Sequence, residues 1–80
     1  MATKHDLVDW LYEVLRAFRG RCRISELCKY VWEHHEQEFR ESGDLFYTWQ
    51  YDIRWAAYQL RKSKKMKPEV LSPKGIWELA

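Results

Sequence analysis

Hydrogen-bonding side chains recur at helical spacing in the C-terminal half of the chain. One side of a helix would carry four of them, three or four residues apart: Gln50, Arg54, Tyr58 and Arg61. Such groups can donate hydrogen bonds to phosphate oxygens and to base edges. Arg54 is the main candidate for base contact, because a guanidinium can bond two acceptors of guanine at once, which is worth about 1 to 3 kcal/mol of discrimination.

The charge distribution agrees with this interpretation. The net charge of +2 is too small to attract a nucleic acid by itself. In residues 1–47, seven Lys and Arg stand against nine Asp and Glu, whereas in residues 48–75 seven basic residues stand against only Asp52 and Glu69. Any soluble helix needs a polar face, so polar residues alone do not indicate binding. This helix, however, contains only one acid, Asp52.

Lysines extend the basic region beyond this helix. Charge runs are usually only solvated, but these could also neutralise phosphates: Lys62, Lys64, Lys65, Lys67 and Lys74. With about four or five phosphate contacts, log affinity would fall against log salt with a slope near 4, at about 0.9 per phosphate. A second basic cluster precedes the second helix, where solvation of a turn is the simpler role and contact with an adjacent phosphate the alternative: Arg19, Arg21 and Arg23.

Other chemistries find little support in the sequence. Cys22, Cys28, His34 and His35 suggest zinc, but their spacing does not match the short paired loops of structural zinc sites. No glycine-rich phosphate loop or nucleophile elbow is present. We therefore expect no metal, no cofactor and no enzymatic activity, and we expect both cysteines to be reduced.

Three helices must position these side chains, and the first is the most strongly patterned. Thr3 and Asp6 resemble a capping box, and Gly20 is a suitable helix end. Six apolar residues between them fall on one face: Leu7, Trp10, Leu11, Val14, Leu15 and Phe18. Residues 21–24 then alternate charged and apolar side chains, which predicts a short strand that could join a hairpin.

The second helix is predicted between a Ser25 cap and Gly43, and it carries two apolar rows. One row is Leu27 and Val31, and the other is Cys28, Trp32 and Phe39. One core contact does not require both rows. Either the helix bends around the core near His34 and His35, or Trp32 and Phe39 form an apolar patch that another chain covers.

Acidic residues on the same helix suggest a competing function. The acids are Glu33, Glu36, Glu38, Glu41 and Asp44. A solvated face is the simpler explanation. With Trp32 and Phe39, however, this surface could dock another protein or a second copy of the chain.

The third helix is predicted from a Thr48 cap to Ser63, with a preceding link longer than the turn of the simplest helix-turn-helix. Leu45 and Phe46 of that link are expected to fill the core. The buried face of the helix is Trp49, Ile53, Ala56, Ala57 and Leu60.

A C-terminal hairpin is predicted after Pro68, which prevents further helix. Val70 and Leu71 enter it, and residues 72–75 have the Pro and Gly positions of a type I turn. In the following strand, Trp77 and Leu79 share the face that should close the core.

A family resemblance covers this region. The third helix contributes Ile53, Trp55, Ala56 and Leu60, and the hairpin contributes Leu71-Ser72-Pro73-Lys74-Gly75-Ile76-Trp77-Glu78-Leu79. This combination resembles the N-terminal winged-helix domain of Mrr-type restriction proteins. The resemblance implies a DNA-binding winged helix-turn-helix with the order helix, short strand, helix, helix, strand, strand.

Length and composition limit the alternatives. Eighty residues with 46% hydrophobic and 16% aromatic side chains predict one folded domain spanning residues 1–80. No apolar run approaches the roughly 18 residues of a membrane span, and no signal-peptide core follows Met1, so we expect no membrane association and a cytoplasmic location.

We therefore predict an α+β winged helix-turn-helix with three helices and a small antiparallel sheet carrying a C-terminal β-hairpin wing. It would bind double-stranded DNA with the third helix in the major groove, as a transcriptional or mobile-element regulator. The alternative is a protein interaction or homodimerisation module on the same fold. The residues expected to contact DNA are Thr48, Gln50, Tyr51, Arg54, Tyr58, Arg61, Lys62 and Lys74.

Overall fold

Three helices and a two-stranded antiparallel sheet form an α+β arrangement in which helices and strands share one core. The computed structural model describes residues 2–80. In chain order the elements are α1 (Lys4–Ala17), β1 (Arg21–Arg23), α2 (Ile24–Arg40), α3 (Leu45–Lys62), a one-turn 3-10 helix (Glu69–Leu71) and β2 (Ile76–Glu78). No helix among residues 2–80 combines the length and apolarity needed to cross a membrane.

The two ends of α1 follow the predicted signals. At its start the Thr3 N–H donates to Asp6 Oδ2 at 2.9 Å, which satisfies one of the backbone donors left free at a helix N-terminus. At its end the Gly20 N–H donates to the Leu15 carbonyl while Gly20 adopts a φ of +88°. Glycine takes this backbone conformation without a Cβ clash, so the chain can turn directly into β1.

Helix α2 bends, which explains its two apolar rows. His35 has non-helical dihedral angles (φ −131°, ψ 16°) inside the helix. Beyond this bend Phe39 is 0% exposed, and its ring stacks on Trp49 of α3 with centroids 4.7 Å apart. The predicted bend is confirmed. The patch proposed as a docking surface is wrong, because Phe39 lies wholly in the core and half-buried Trp32 packs against Phe39 and Trp49.

Two predicted helix starts lie too late in the sequence. Helix α2 begins at Ile24, immediately after β1, and not behind a Ser25 cap. Helix α3 begins at Leu45, because Leu45 is buried and its first turn packs on the core. The connection between α2 and α3 is therefore the short segment 41–44, and Phe46 belongs to the helix. Both Leu45 and Phe46 pack on the core as expected.

The sheet differs most from its prediction. Strand β2 pairs with β1, with Arg21 opposite Glu78 and Arg23 opposite Ile76. Val70 and Leu71 do not pair with β2 but form the 3-10 turn, and they are 90% and 67% exposed. Prolines on both sides of this segment lack the N–H that a ladder needs, which disfavours a regular hairpin strand.

A reduced hairpin contact survives at the base of this loop. Buried Met66 forms an isolated antiparallel bridge with Leu79. At the other end of the loop the Ile76 N–H donates to the Pro73 carbonyl at 3.1 Å, so the turn spans residues 73–76 and not 72–75. Gly75 occupies its third position with a φ of +80°, which favours glycine.

The predicted inner face of the last strand is confirmed. Trp77 is buried and Leu79 is half-buried against the same core cluster. This cluster contains residues of α1, α2 and α3 and of both strands, but none of the 3-10 helix. The shared core fixes α3 relative to Met66 and Trp77, which flank the 67–75 loop.

Candidate nucleic-acid interface

Six apolar side chains hold one side of α3 against the core. They are Leu45, Trp49, Ile53, Ala56, Ala57 and Leu60, all at most 7% exposed. Because their spacing follows the helical repeat, the residues between them must point outward. The orientation of α3 is thereby determined along its whole length.

The opposite side of α3 is aromatic and cationic. We call it the α3 outer face and define it as Tyr47, Tyr51, Arg54, Tyr58 and Lys62, which follow one another at intervals of four, three, four and four residues. All five are exposed, and the three tyrosines are 82%, 78% and 58% accessible. Exposure of three large aromatic side chains on one helix face is typical of a binding surface.

The cations of this face are free of acidic partners. Among residues 2–80, no carboxylate oxygen lies within 4.0 Å of the charged nitrogens of Arg54 or Lys62. Asp52, the only acid in α3, is half-buried and accepts a hydrogen bond from Thr48 Oγ1 at 2.7 Å. Thr48 therefore partners Asp52 and does not cap the helix as predicted.

Arg61 does not lie on this face, contrary to the prediction. It is half-buried, and its Nε donates to the Lys67 carbonyl at 3.2 Å. Its guanidinium carbon also lies 6.0 Å from the ring centroid of Trp77. Arg61 thus joins the end of α3 to the start of the 67–75 loop.

The other predicted contact residues are accessible. Gln50 and Thr48 are exposed on the flanks of α3, and Lys74 is exposed in the turn of the 67–75 loop. Tyr47 was missed, because the helix was assumed to begin at Thr48. Its spacing of four residues from Tyr51 could have placed it on the same row.

Comparison of the chain with protein-family models, with curated proteins and with solved structures gave no match. The resemblance to the Mrr-type winged-helix domain therefore stays a prediction, which rests on the sequence of residues 53–79. Function has to be argued from the geometry of the chain itself.

The cysteines and histidines have ordinary partners. Burial raises the pKa of the Cys22 thiol, with smaller contributions from Glu26 and Cys28, and burial also raises the pKa of Cys28 against an opposing effect of Arg54. His35 Nδ1 lies 2.9 Å from Glu38 Oε1, and its ring stacks on Trp10 at 3.8 Å. In the described part of the chain, no three His, Cys, Asp or Glu side chains are grouped to hold a metal ion.

Proposed function

We propose that the chain is a winged helix-turn-helix protein that binds double-stranded DNA through the α3 outer face and the 67–75 loop. One observation carries the proposal: a packed helix presents Arg54 and Lys62 among three exposed tyrosines, and neither cation has a carboxylate oxygen within 4.0 Å in the described residues 2–80. A major groove about 12 Å wide admits an α-helix, and unpaired cations are what a polyanion requires.

The side chains of the outer face suit different parts of the duplex. Arg54, near the middle of α3, can present two donors to guanine. Tyrosine hydroxyls can donate to phosphate oxygens, and Lys62 at the helix end can contact the backbone. These contacts would combine base recognition with positioning on the phosphates.

The 67–75 loop takes the place of a wing in this proposal. Arg61 joins its first residue to α3, and the Gly75 carbonyl accepts a hydrogen bond from the Ile24 N–H at 3.0 Å. Lys74 therefore projects from a loop anchored at both ends, where it can contact a phosphate beside the groove. Because binding of this kind needs no catalysis, we propose a non-enzymatic regulator of transcription or of a mobile element.

A second candidate function is protein interaction through the same surface. Tyr and Arg are enriched among the residues that dominate protein interfaces, and the α3 outer face has three tyrosines. Val70 and Leu71 add exposed aliphatic area on the neighbouring loop. This surface replaces the one expected from Trp32 and Phe39.

Titration of the isotopically labelled chain with duplex DNA, followed by amide NMR, tests the proposal. We expect shift changes in residues 47–62 and 67–75. Arg54→Ala should weaken binding by a factor that corresponds to about 1 to 3 kcal/mol. Arg40→Ala removes the same side chain from α2, where it is paired with Glu36, and should leave affinity unchanged.

Two results would reject DNA binding. The first is the absence of shift changes along α3 at low salt. The second is equal loss of affinity in Arg54→Ala and Arg40→Ala, since that would show a non-specific effect of net charge. Concentration-dependent association that Tyr51→Ala abolishes would instead favour the interaction function.

A further inference from the structure

Basic residues from distant parts of the sequence converge on one open cavity of about 560 Å³ at the end of the sheet. We call this the arginine cavity and define it by its four cations: Arg16 at the end of α1, Arg19 in the following turn, Arg21 in β1, and Lys67 after α3. None of these residues belongs to the α3 outer face. Apart from Lys67, which begins the 67–75 loop, the cavity lies outside the proposed DNA interface. By sequence, Arg19 and Arg21 fall in one basic cluster and Lys67 in another.

Backbone hydrogen bonds hold the walls of the cavity together. The Leu79 N–H donates to the Gly20 carbonyl at 2.8 Å, which attaches the α1–β1 turn to the end of β2. The Lys67 N–H donates to the Glu78 carbonyl at 3.0 Å, which attaches the segment after α3 to the other side of β2. Arg19 and Lys67 therefore converge because both of their segments are tied to β2.

The charge of the cavity is unbalanced. Glu78 is the only acid among the described residues that line it, and it lies 4.0 Å from Arg21 and 3.8 Å from Lys67. In the part of the chain that the structure describes, Arg16 and Arg19 have no carboxylate oxygen within 4.0 Å. Four cationic side chains against one acidic side chain leave an excess of positive charge, which a concave surface focuses.

A fifth cation lies next to this group. Lys65 Nζ lies 5.4 Å from the ring centroid of Tyr12, and the Arg16 guanidinium carbon lies 5.9 Å from the same centroid. Both cations therefore lie close to the ring of Tyr12. The positive surface continues from the cavity to the segment that follows α3.

We propose that the arginine cavity binds the phosphate groups of a polyphosphate ligand, supplied either by a nucleic-acid backbone or by a free polyphosphate. Arginine suits this chemistry because its planar guanidinium forms two parallel hydrogen bonds with phosphate oxygens. Three arginines around one cavity can contact adjacent phosphates simultaneously. This site does not depend on DNA binding by α3.

Calorimetric titration of the full chain with inorganic tripolyphosphate tests the proposal. We expect saturable binding that weakens with salt, and amide shifts concentrated in residues 16–21, 67 and 78–79. Arg19→Gln should weaken binding about tenfold, the usual effect of losing one charge-assisted hydrogen bond. Lys29→Gln, which removes an exposed cation from α2, should have no effect.

Glu78→Gln provides a test in the opposite direction. Removing the charge of the one acidic side chain that lines the cavity should tighten tripolyphosphate binding, whereas damage to the fold would weaken it. Glu33→Gln removes a carboxylate that is paired with Lys29 on α2 and should change nothing. Equal affinities for Arg19→Gln, Glu78→Gln and the unaltered chain would overturn the proposal.

Repeating the duplex DNA titration with Arg19→Gln separates the two sources of phosphate. If DNA affinity falls together with tripolyphosphate affinity, the ligand is a nucleic-acid backbone. If only tripolyphosphate affinity falls, the ligand is a free polyphosphate. Failure of α3 to bind DNA would leave the tripolyphosphate result intact, so the two proposals can fail independently.

Discussion

Helices α2 and α3 have nearly equal lengths, 17 and 18 residues, and each buries apolar side chains in the core. They differ in whether the cations on their outer faces are paired with carboxylates. On α2 both cations pair within the helix, Lys29 with Glu33 at 4.0 Å and Arg40 with Glu36 at 2.7 Å. On α3 the outer cations have no such partners among residues 2–80.

The difference separates the solvated surface of α2 from the proposed binding surface of α3. Exposed ion pairs along a helix contribute only about 0.3 to 0.5 kcal/mol each, so α2 gains little stability from them. What the pairs do change is the availability of the charges, since a cation engaged by a carboxylate cannot neutralise a phosphate without losing that contact. Helix α3 therefore differs from α2 in having cations that no carboxylate of residues 2–80 engages, and this matters more than how many cations each helix has.

The largest expected effect is a loss of stability on removing the aromatic contact between α2 and α3. Trp49 of α3 stacks on Phe39 of α2, so Trp49→Ala should lower the free energy of unfolding by about 3 to 5 kcal/mol through lost burial and a cavity. Urea denaturation measures the loss. Tyr51→Ala, on the outer face of the same helix, should change stability by less than about 0.5 kcal/mol. Similar losses in both variants would mean that α3 is not packed as described.

A smaller effect should appear in the salt dependence of duplex affinity. Lys62→Ala should reduce the slope of log affinity against log salt by about 0.9, the value for one phosphate contact. Lys29→Ala should leave the slope unchanged, because Lys29 lies on α2 beside Glu33. Fluorescence anisotropy at several salt concentrations measures both slopes. Equal slopes for the two variants would remove the distinction between the helices.

The smallest expected effect is on the reactivity of Cys28 in α2, because Arg54 of α3 influences the pKa of its thiol. Burial raises the pKa of this thiol above its usual range, against an opposing effect of Arg54, so alkylation should be slow. Arg54→Met keeps most of the side-chain bulk but removes the charge. The pKa should then rise further, and alkylation by iodoacetamide, followed by mass spectrometry, should slow.

Two checks belong to this last experiment. Raising the pH should accelerate alkylation in both proteins, because deprotonation becomes easier as pH approaches the raised pKa. Arg40→Ala should leave the Cys28 rate unchanged. A faster reaction in Arg54→Met would contradict the assigned influence of Arg54.

Predictions from periodicity succeeded where one helix packs against one core. The apolar stripe of α1 from Leu7 to Leu15 and the buried face of α3 were both readable, since a helix repeats its facing direction every 3.6 residues. The last predicted member of the stripe, Phe18, lies beyond the end of α1 and is exposed. The double row of α2 indicated a bend at the histidines, which His35 provides. Two outer-face residues, Arg54 and Tyr58, were also identified from the same spacing.

Predictions failed where local signals competed with long-range contacts. Thr48 has a good capping side chain, but burial of Leu45 extends α3 by one turn. The Pro and Gly pattern of residues 72–75 indicated a turn, but strand β2 found its partner in β1, far away in sequence. By spacing alone, Arg61 fits the outer row of α3. In the structure its side chain instead donates to the Lys67 carbonyl and lies near the ring of Trp77.

By itself, the sequence determined which side of each helix is apolar and where the positive charge is concentrated, because both properties depend on residue types at short spacing. Tertiary structure decided which of those charges stay unpaired. It also decided that Arg19 and Lys67, 48 positions apart in the chain, share a cavity, because backbone hydrogen bonds tie both segments to β2. Such convergence depends on distances in space, which no short sequence pattern encodes.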